Sequence, residues 1–326
     1  IDNQIFYAAG TNDIIILKYN THGDLQWAKQ LGASYNGWGK GIAVDYEGNI
    51  LLTGDFVGTI SIDSHSVTSK PGHWSSLVAK FDSIGNVKWI HKAIPDIGHN
   101  YVSNIVVDYQ GNCYVTGDFG GGIVLNDSLT ISNPLFFKLD ALCNLIWIES
   151  LDNNLLSIHG NDIALDKSNN IYVTGLFNGT ATFGNTTLFS EQGTDIFTVK
   201  YTSNRDVKWV KQLGESTNDS GNGIAIDQSG NCYITGNIQK TFSFPPYNNQ
   251  EIFVAKYNSN GNLEWLEETG TTHYEEYSNA IVVDNFGNSY ITGGFKSQTY
   301  FGDTIVLTDY RDIFFAKYGN TPYIPA

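Results

Sequence analysis

Six lysines recur at one position of this sequence: Lys18, Lys80, Lys138, Lys200, Lys256 and Lys317, each four residues into an apolar-x-x-Lys-apolar run. A circle of lysines is chemistry for holding an anion. A site usually breaks symmetry, however, and a residue repeated in every unit argues for architecture. The lysines are therefore expected to pair with carboxylates of their own or a neighbouring unit, and Asp13, Asp195, Glu251 and Asp312 each stand five residues before one. A second periodic set is acidic: Asp45, Asp108, Asp166, Asp227 and Asp284. Calcium needs several oxygen ligands converging on one point. One aspartate per turn, followed two residues later by Gly-Asn, reads instead as a side chain capping its own turn. No metal site is expected, and no cofactor.

A third set carries more information. Seven residues before each turn aspartate stand Trp38, Tyr101, His159, Ser220 and Tyr277. Their surroundings are rich in Gly, Asn and Ser and read as loops. Nearby are His99, His273, Tyr274, Glu275 and Glu276. Exposed aromatics beside carboxylates and amides suit stacking on a sugar or anchoring a protein. The candidate binding residues are Trp38, Tyr101, His159, Tyr277, His273 and Glu275, on loops expected to share one face; Trp74 lies in another loop. No catalytic constellation is identifiable.

These positions need a scaffold, and the spacing supplies one. The turn aspartates are 63, 58, 61 and 57 residues apart. Each opens Asp-x-x-Gly-Asn, or Asp166-Lys-Ser-Asn-Asn170, and a β-rich run follows that ends in Thr-Gly. Nine residues after each of the first five lysines comes Trp27, Trp89, Trp147, Trp209 or Trp265. Each unit thus reads as four short strands joined by Gly- and Asn-containing turns, with the indoles packing between units. No capped helical periodicity is present. Where Asn169 replaces the turn glycine the left-handed backbone survives, whereas Cys143 and Arg205 at the second turn predict strain.

The run Asn222-Gly-Ile-Ala-Ile-Asp-Gln-Ser-Gly-Asn-Cys-Tyr-Ile-Thr-Gly236, followed by Glu251-Ile-Phe-Val-Ala-Lys-Tyr257, resembles the SBBP family of β-propeller repeats. The resemblance spans essentially the whole chain. It implies an all-β propeller of four-stranded antiparallel blades and implies no reaction. The chain opens inside one unit and closes inside another, so six blades are expected, with five or seven as alternatives. Residues 1–318 are expected to form one propeller domain and 319–326 a tail.

Composition narrows the function. Net charge is -15, and Arg205 and Arg311 are the only arginines, too few cations for neutralising phosphates, so no nucleic-acid partner is expected. A sialidase that grips its substrate with an arginine triad is excluded on the same count. A quinone dehydrogenase would need calcium ligands that are not found here. Cys113, Cys143 and Cys232 read as free thiols. No run of eighteen apolar residues occurs, so no transmembrane segment is expected; no secretory signal is visible in the sequence, and its start at Ile1 rather than Met implies a removed upstream piece. Sequons stand at Asn126, Asn178, Asn185 and Asn218. The leading expectation is a non-enzymatic scaffold engaging a protein, a glycan or its own kind, in an extracellular, cell-envelope or virion-surface setting. The alternative is a lectin or a two-carboxylate glycosidase.

Overall fold

A computed structural model describes residues 5–93, 100–119, 123–125, 129–131, 134–214, 218–241, 248–269, 276–302 and 304–319. Among the described residues there is no helix, as the absence of 3.6-residue periodicity requires. Contacts divide the chain into two compact units, Ile1–Leu151 and Asp152–Ala326.

The first unit opens with an antiparallel pair, β1 (Ile14–Tyr19) and β2 (Leu25–Ala33). The second sheet begins with β3 (Asn36–Val44) and β4 (Ile50–Val57). A hairpin, β5 (Thr59–Ile62) and β6 (His65–Thr68), then reaches back to pair with the end of β2. The chain returns through β7 (Ser75–Phe81) and β8 (Val87–Lys92), giving the order β3-β4-β7-β8. The third sheet repeats this plan with β9 (Tyr101–Val107) and β10 (Cys113–Asp118), an outer hairpin β11 (Ile123–Leu125) and β12 (Leu129–Ile131), then β13 (Pro134–Leu139) and β14 (Leu145–Ser150).

In the second unit the fourth sheet comprises β15 (Asp152–Leu165), β16 (Ile171–Phe183), β17 (Thr186–Phe189), β18 (Asp195–Tyr201) and β19 (Val207–Leu213). The fifth is β20 (Ser220–Ile226), β21 (Cys232–Thr241), β22 (Asn248–Tyr257) and β23 (Leu263–Thr269). The sixth is β24 (Tyr277–Val283), β25 (Ser289–Phe301) and β26 (Thr304–Tyr318). Among the described residues, six blade-type sheets follow one another in chain order, consistent with the expected six blades.

The turns explain why these strands form. Asp45 accepts hydrogen bonds at one oxygen from the Glu47 amide (3.0 Å) and the Asn49 amide (2.8 Å), while Gly48 takes φ 80°. The Asn49 side-chain amide donates to the other oxygen at 2.9 Å. The same closed turn recurs at Asp108, Asp166, Asp227 and Asp284. Such fixed turns hold the register of the strands they join. Asn169 takes φ 57°, and the anticipated strain is present at Cys143 (φ 70°) and Arg205 (φ 72°). All three cysteines are free thiols, and burial pushes Cys113 and Cys143 up to about 12.

Within each unit the cores lie between successive sheets. Ile14, Ile16 and Leu31 of the first sheet meet Leu52, Leu77 and Phe81 of the second. Leu51 and Val78 on its other face meet Val102, Val115 and Phe137. The fifth sheet offers Tyr233, Ile252 and Val254 to Ile281, Ile291 and Phe314. The indoles do pack between sheets: Trp27 donates to the Ser83 carbonyl at 3.3 Å and lies against Gly85, and Trp209 does the same with Ser259 and Gly261.

The periodic lysines are structural, with one correction to the expected partners. Lys80 bonds Asp45 at 2.9 Å, Lys138 bonds Asp108 at 3.2 Å, and Lys200 reaches Asp166 at 3.9 Å. For these three the partner is the turn aspartate of the same sheet, whereas Lys256 pairs with Glu264 at 2.9 Å and Lys18 donates to the Ser83 carbonyl. Five residues along a strand is an odd spacing, which puts Asp195 and Lys200 on opposite faces. Asp13 and Asp195 instead accept from the side chains of Gln30 and Gln212.

Candidate functional site

The positions of Trp38, Tyr101, His159, Ser220 and Tyr277 are set by a backbone irregularity. They were expected in loops. The structure places them in strands, in β3, β9, β15, β20 and β24. Each faces the residue that follows a Thr-Gly pair: Asp55, Asp118, Leu176, Asn237 and Gly294. Just beyond, the inner strand carries one extra residue, as between Gly39 and Ile42 or between Gly160 and Asp162. This β-bulge bends the strand and re-aims the side chain before it. A Cβ on Gly54 would stand 2.5 Å from the Trp38 carbonyl oxygen. The carbonyls of Tyr101, His159, Ser220 and Tyr277 press on Gly117, Gly175, Gly236 and Gly293 in the same way. The small residues that read as loop are there for close backbone approach.

In the first unit this brings together an aromatic row. The Trp38 and Trp74 ring centroids are 4.6 Å apart at 30°, and Trp74 and Tyr101 are 6.0 Å apart at 45°. Trp38 is 44% exposed, and Trp74 and Tyr101 are half-buried. Lys40 holds its ammonium 5.7 Å from the Trp38 ring centre.

Beneath the row sits Asp55, directly across from Trp38 and fully buried. Its Oδ1 accepts from the Ser76 hydroxyl and the Val102 amide, both at 3.0 Å, tying the second sheet to the third. Its Oδ2 is buried with no hydrogen bond, and Lys40 Nζ lies 3.8 Å away. Burial pushes this carboxyl up to about 6, against the pull of Val102, Ser76 and Lys40. The Tyr101 hydroxyl is raised above its ordinary value by burial and then by the charges of Asp55 and Asp118. The corner therefore offers aromatic faces, a carboxyl raised to about 6, and the Lys40 ammonium beside it.

In the second unit the equivalent positions carry a polar ladder. Asn161 donates to Ser220 Oγ at 3.0 Å, and Ser220 donates to Asn222 Oδ1 at 2.6 Å. Asn222 then donates at 2.8 Å to both Asn237 Oδ1 and the Ser278 carbonyl. Tyr277 lies over Gly294, and His159 occupies the matching place on β15. His273 and Glu275, with His99, Tyr274 and Asn126, lie outside the described residues.

Asp55 and Lys40 escaped the sequence reading, although the residue after each Thr-Gly is a position that could have been tabulated. Tyr46 and Tyr109, next to the turn aspartates, also escaped it: their ring centroids are 4.4 Å apart and both are largely exposed. No helix among the described residues is long and apolar enough to cross a membrane.

An uncharacterized WD repeat-containing protein of Acanthamoeba polyphaga mimivirus is 21% identical over 97% of this chain. The chain spans only 28% of that relative's length. Among solved structures, hydrazine synthase of Kuenenia stuttgartiensis is similar at TM-score 0.46 and 9% identity, covering 79% of this chain and 76% of that one. A gluconolactonase of Xanthomonas campestris is similar at TM-score 0.43 and 12% identity, covering 82% and 73%. These likenesses carry nothing about chemistry. The family model for the SBBP beta-propeller repeat matches residues 26–55 and 208–240, which hold the Trp27 and Trp209 strands, the turns at Asp45 and Asp227 and their Thr-Gly ends; these two stretches are SBBP beta-propeller repeats.

Proposed function

We propose that this protein is a non-enzymatic scaffold that binds a partner through the row Trp38, Trp74 and Tyr101, as a component of a surface or structural assembly. The observation that carries the reading is the partly exposed row of tilted aromatic rings, Trp38 and Tyr101 on strands and Trp74 just before β7, beside a buried carboxylate. Two large rings fixed by packing present apolar area with little rotamer entropy to lose on binding. The row suits the apolar face of a sugar or an aromatic anchor of a protein. The polar ladder at Ser220 and Asn222 supplies a different surface from equivalent positions. The viral relative and the sequons at Asn178, Asn185 and Asn218 favour an extracellular or virion-surface setting. The test is a glycan array and an affinity capture with the wild type and Trp74→Ala. Loss of the hit in the variant, with unchanged circular dichroism, supports the reading; an undiminished hit refutes it.

A second reading is a carbohydrate-active enzyme. Asp55, raised to about 6, suits a general acid, and Tyr101 feels the charge of both Asp55 and Asp118. It requires hydrolysis of aryl glycosides that disappears in Asp55→Asn.

A further inference from the structure

The residue that follows each turn aspartate is Tyr46, Tyr109, Lys167, Gln228 or Asn285. In consecutive sheets of one unit these residues meet side by side. In the second unit Lys167 donates to Gln228 Oε1 at 3.5 Å, and the Gln228 side-chain amide donates to Asn285 Oδ1. In the first unit two phenols make the same lateral step. The Tyr46 and Tyr109 ring centroids are 4.4 Å apart at 41°, which puts the rings in contact. Their hydroxyls share a hydrogen bond, which raises the Tyr109 phenol above its ordinary value. With the oxygens joined in this way, the ring carbons ortho to them are neighbours as well.

The pair is also accessible and well fixed. Tyr114, Tyr172 and Tyr233 are buried, whereas Tyr46 and Tyr109 are 74% and 68% exposed. A groove edged by Glu47, Lys80, Gln110 and Ala141 runs beside them and admits solvent. Each tyrosine follows the aspartate of a closed, hydrogen-bonded turn, so its backbone is held. The two rings lie at the opposite ends of β3 and β9 from Trp38 and Tyr101, and the inference is independent of the aromatic row.

We propose that Tyr46 and Tyr109 form an oxidative modification site, at which a peroxide-driven oxidant of the haem peroxidase class couples them into a dityrosine that fastens the second sheet to the third. The oxidant takes one electron and one proton from each phenol. The two phenoxyl radicals carry spin density at their ortho carbons, and the unpaired electrons combine there as one carbon–carbon bond. Each ring then passes its displaced ortho hydrogen to its own oxygen and is a phenol again. The protein loses two hydrogens. One hydrogen peroxide accepts the two electrons and two protons and leaves as two waters. Two radicals held in contact couple with each other before either meets a second molecule, because proximity replaces a bimolecular encounter.

The test treats the intact chain at low concentration with a haem peroxidase and hydrogen peroxide. The expected product remains a monomer and shows dityrosine fluorescence. On digestion it yields a peptide joining Tyr46 to Tyr109, two hydrogens lighter than the sum of its parts. Tyr46→Phe and Tyr109→Phe each abolish that linkage, and both keep the wild-type circular dichroism because the side chains are exposed. Tyr7 and Tyr310 are more exposed still, at 80% and 83%, and serve as the internal control. Absence of the Tyr46–Tyr109 peptide from the treated, folded protein overturns the proposal. So does a dityrosine yield that Tyr109→Phe leaves undiminished, or linkage through Tyr7 or Tyr310 that matches the Tyr46–Tyr109 link, since exposure alone would then govern the coupling.

Discussion

Replacing Asp55 by Asn removes a buried charge while leaving the oxygen that the Ser76 hydroxyl and the Val102 amide use. The carboxyl is raised from its ordinary value of 3.8 to about 6 in the folded protein, burial being the main cause. A raised acid binds its proton more tightly when folded. Its stabilising effect is therefore complete below about pH 4 and is lost as the pH climbs through 6. At about 1.4 kcal/mol per pH unit the loss amounts to about 3 kcal/mol by pH 7.5. Asp13, Asp45 and Asp108 are held below the usual carboxylate range and act in the opposite sense at lower pH. They are common to both proteins and cancel in the difference. Urea unfolding at pH 4 and pH 7.5, followed by tryptophan fluorescence, should show Asp55→Asn gaining about 3 kcal/mol on the wild type between the two conditions. A gain below about 1 kcal/mol, or one of opposite sign, refutes the assignment of Asp55 as a destabilising buried acid. A carboxyl signal of Asp55 titrating near its ordinary value by NMR would refute it as directly.

Two further outcomes follow from the backbone. Gly117→Ala drives a methyl into the Tyr101 carbonyl and should destabilise by about 1–3 kcal/mol, read as a lower urea midpoint; an unchanged midpoint would mean the bulge is not constrained. Arg205→Gly relieves a left-handed backbone at φ 72°, worth about 1–2 kcal/mol less the greater chain entropy of glycine; a small rise in midpoint is expected, and a fall would show that the arginine side chain outweighs the strain.

Much of the fold was legible because its signals are short-range. The turn at Asp45 is written in five consecutive residues, and the hydrogen bonds from Glu47 and Asn49 follow from them. Lys200 and Trp209, nine apart, come to lie opposite each other across one hairpin, as their spacing implied. What failed is also instructive. The Gly- and Ser-rich stretch around Trp38 looked like loop because composition does not separate a flexible segment from a strand that must approach another backbone closely. Acids five residues before four of the six lysines looked like partners until strand alternation turned them away. The convergence of Trp38, Trp74, Tyr101 and Asp55 was invisible, because it joins two sheets and a hairpin return separated by tens of residues. The equivalence of Trp38, Tyr101, His159, Ser220 and Tyr277 was readable; their unequal company was not.

The bulge fixed by each Thr-Gly pair is held by main-chain atoms, the carbonyl of one strand against the bare Cα of the next. Nothing in that contact depends on which side chain the carbonyl's own residue bears, and an indole, a phenol, an imidazole and a hydroxyl all occupy it. Such a position works like an interchangeable socket. Its occupant can be swapped one blade at a time without disturbing the main-chain contact that fixes the bulge.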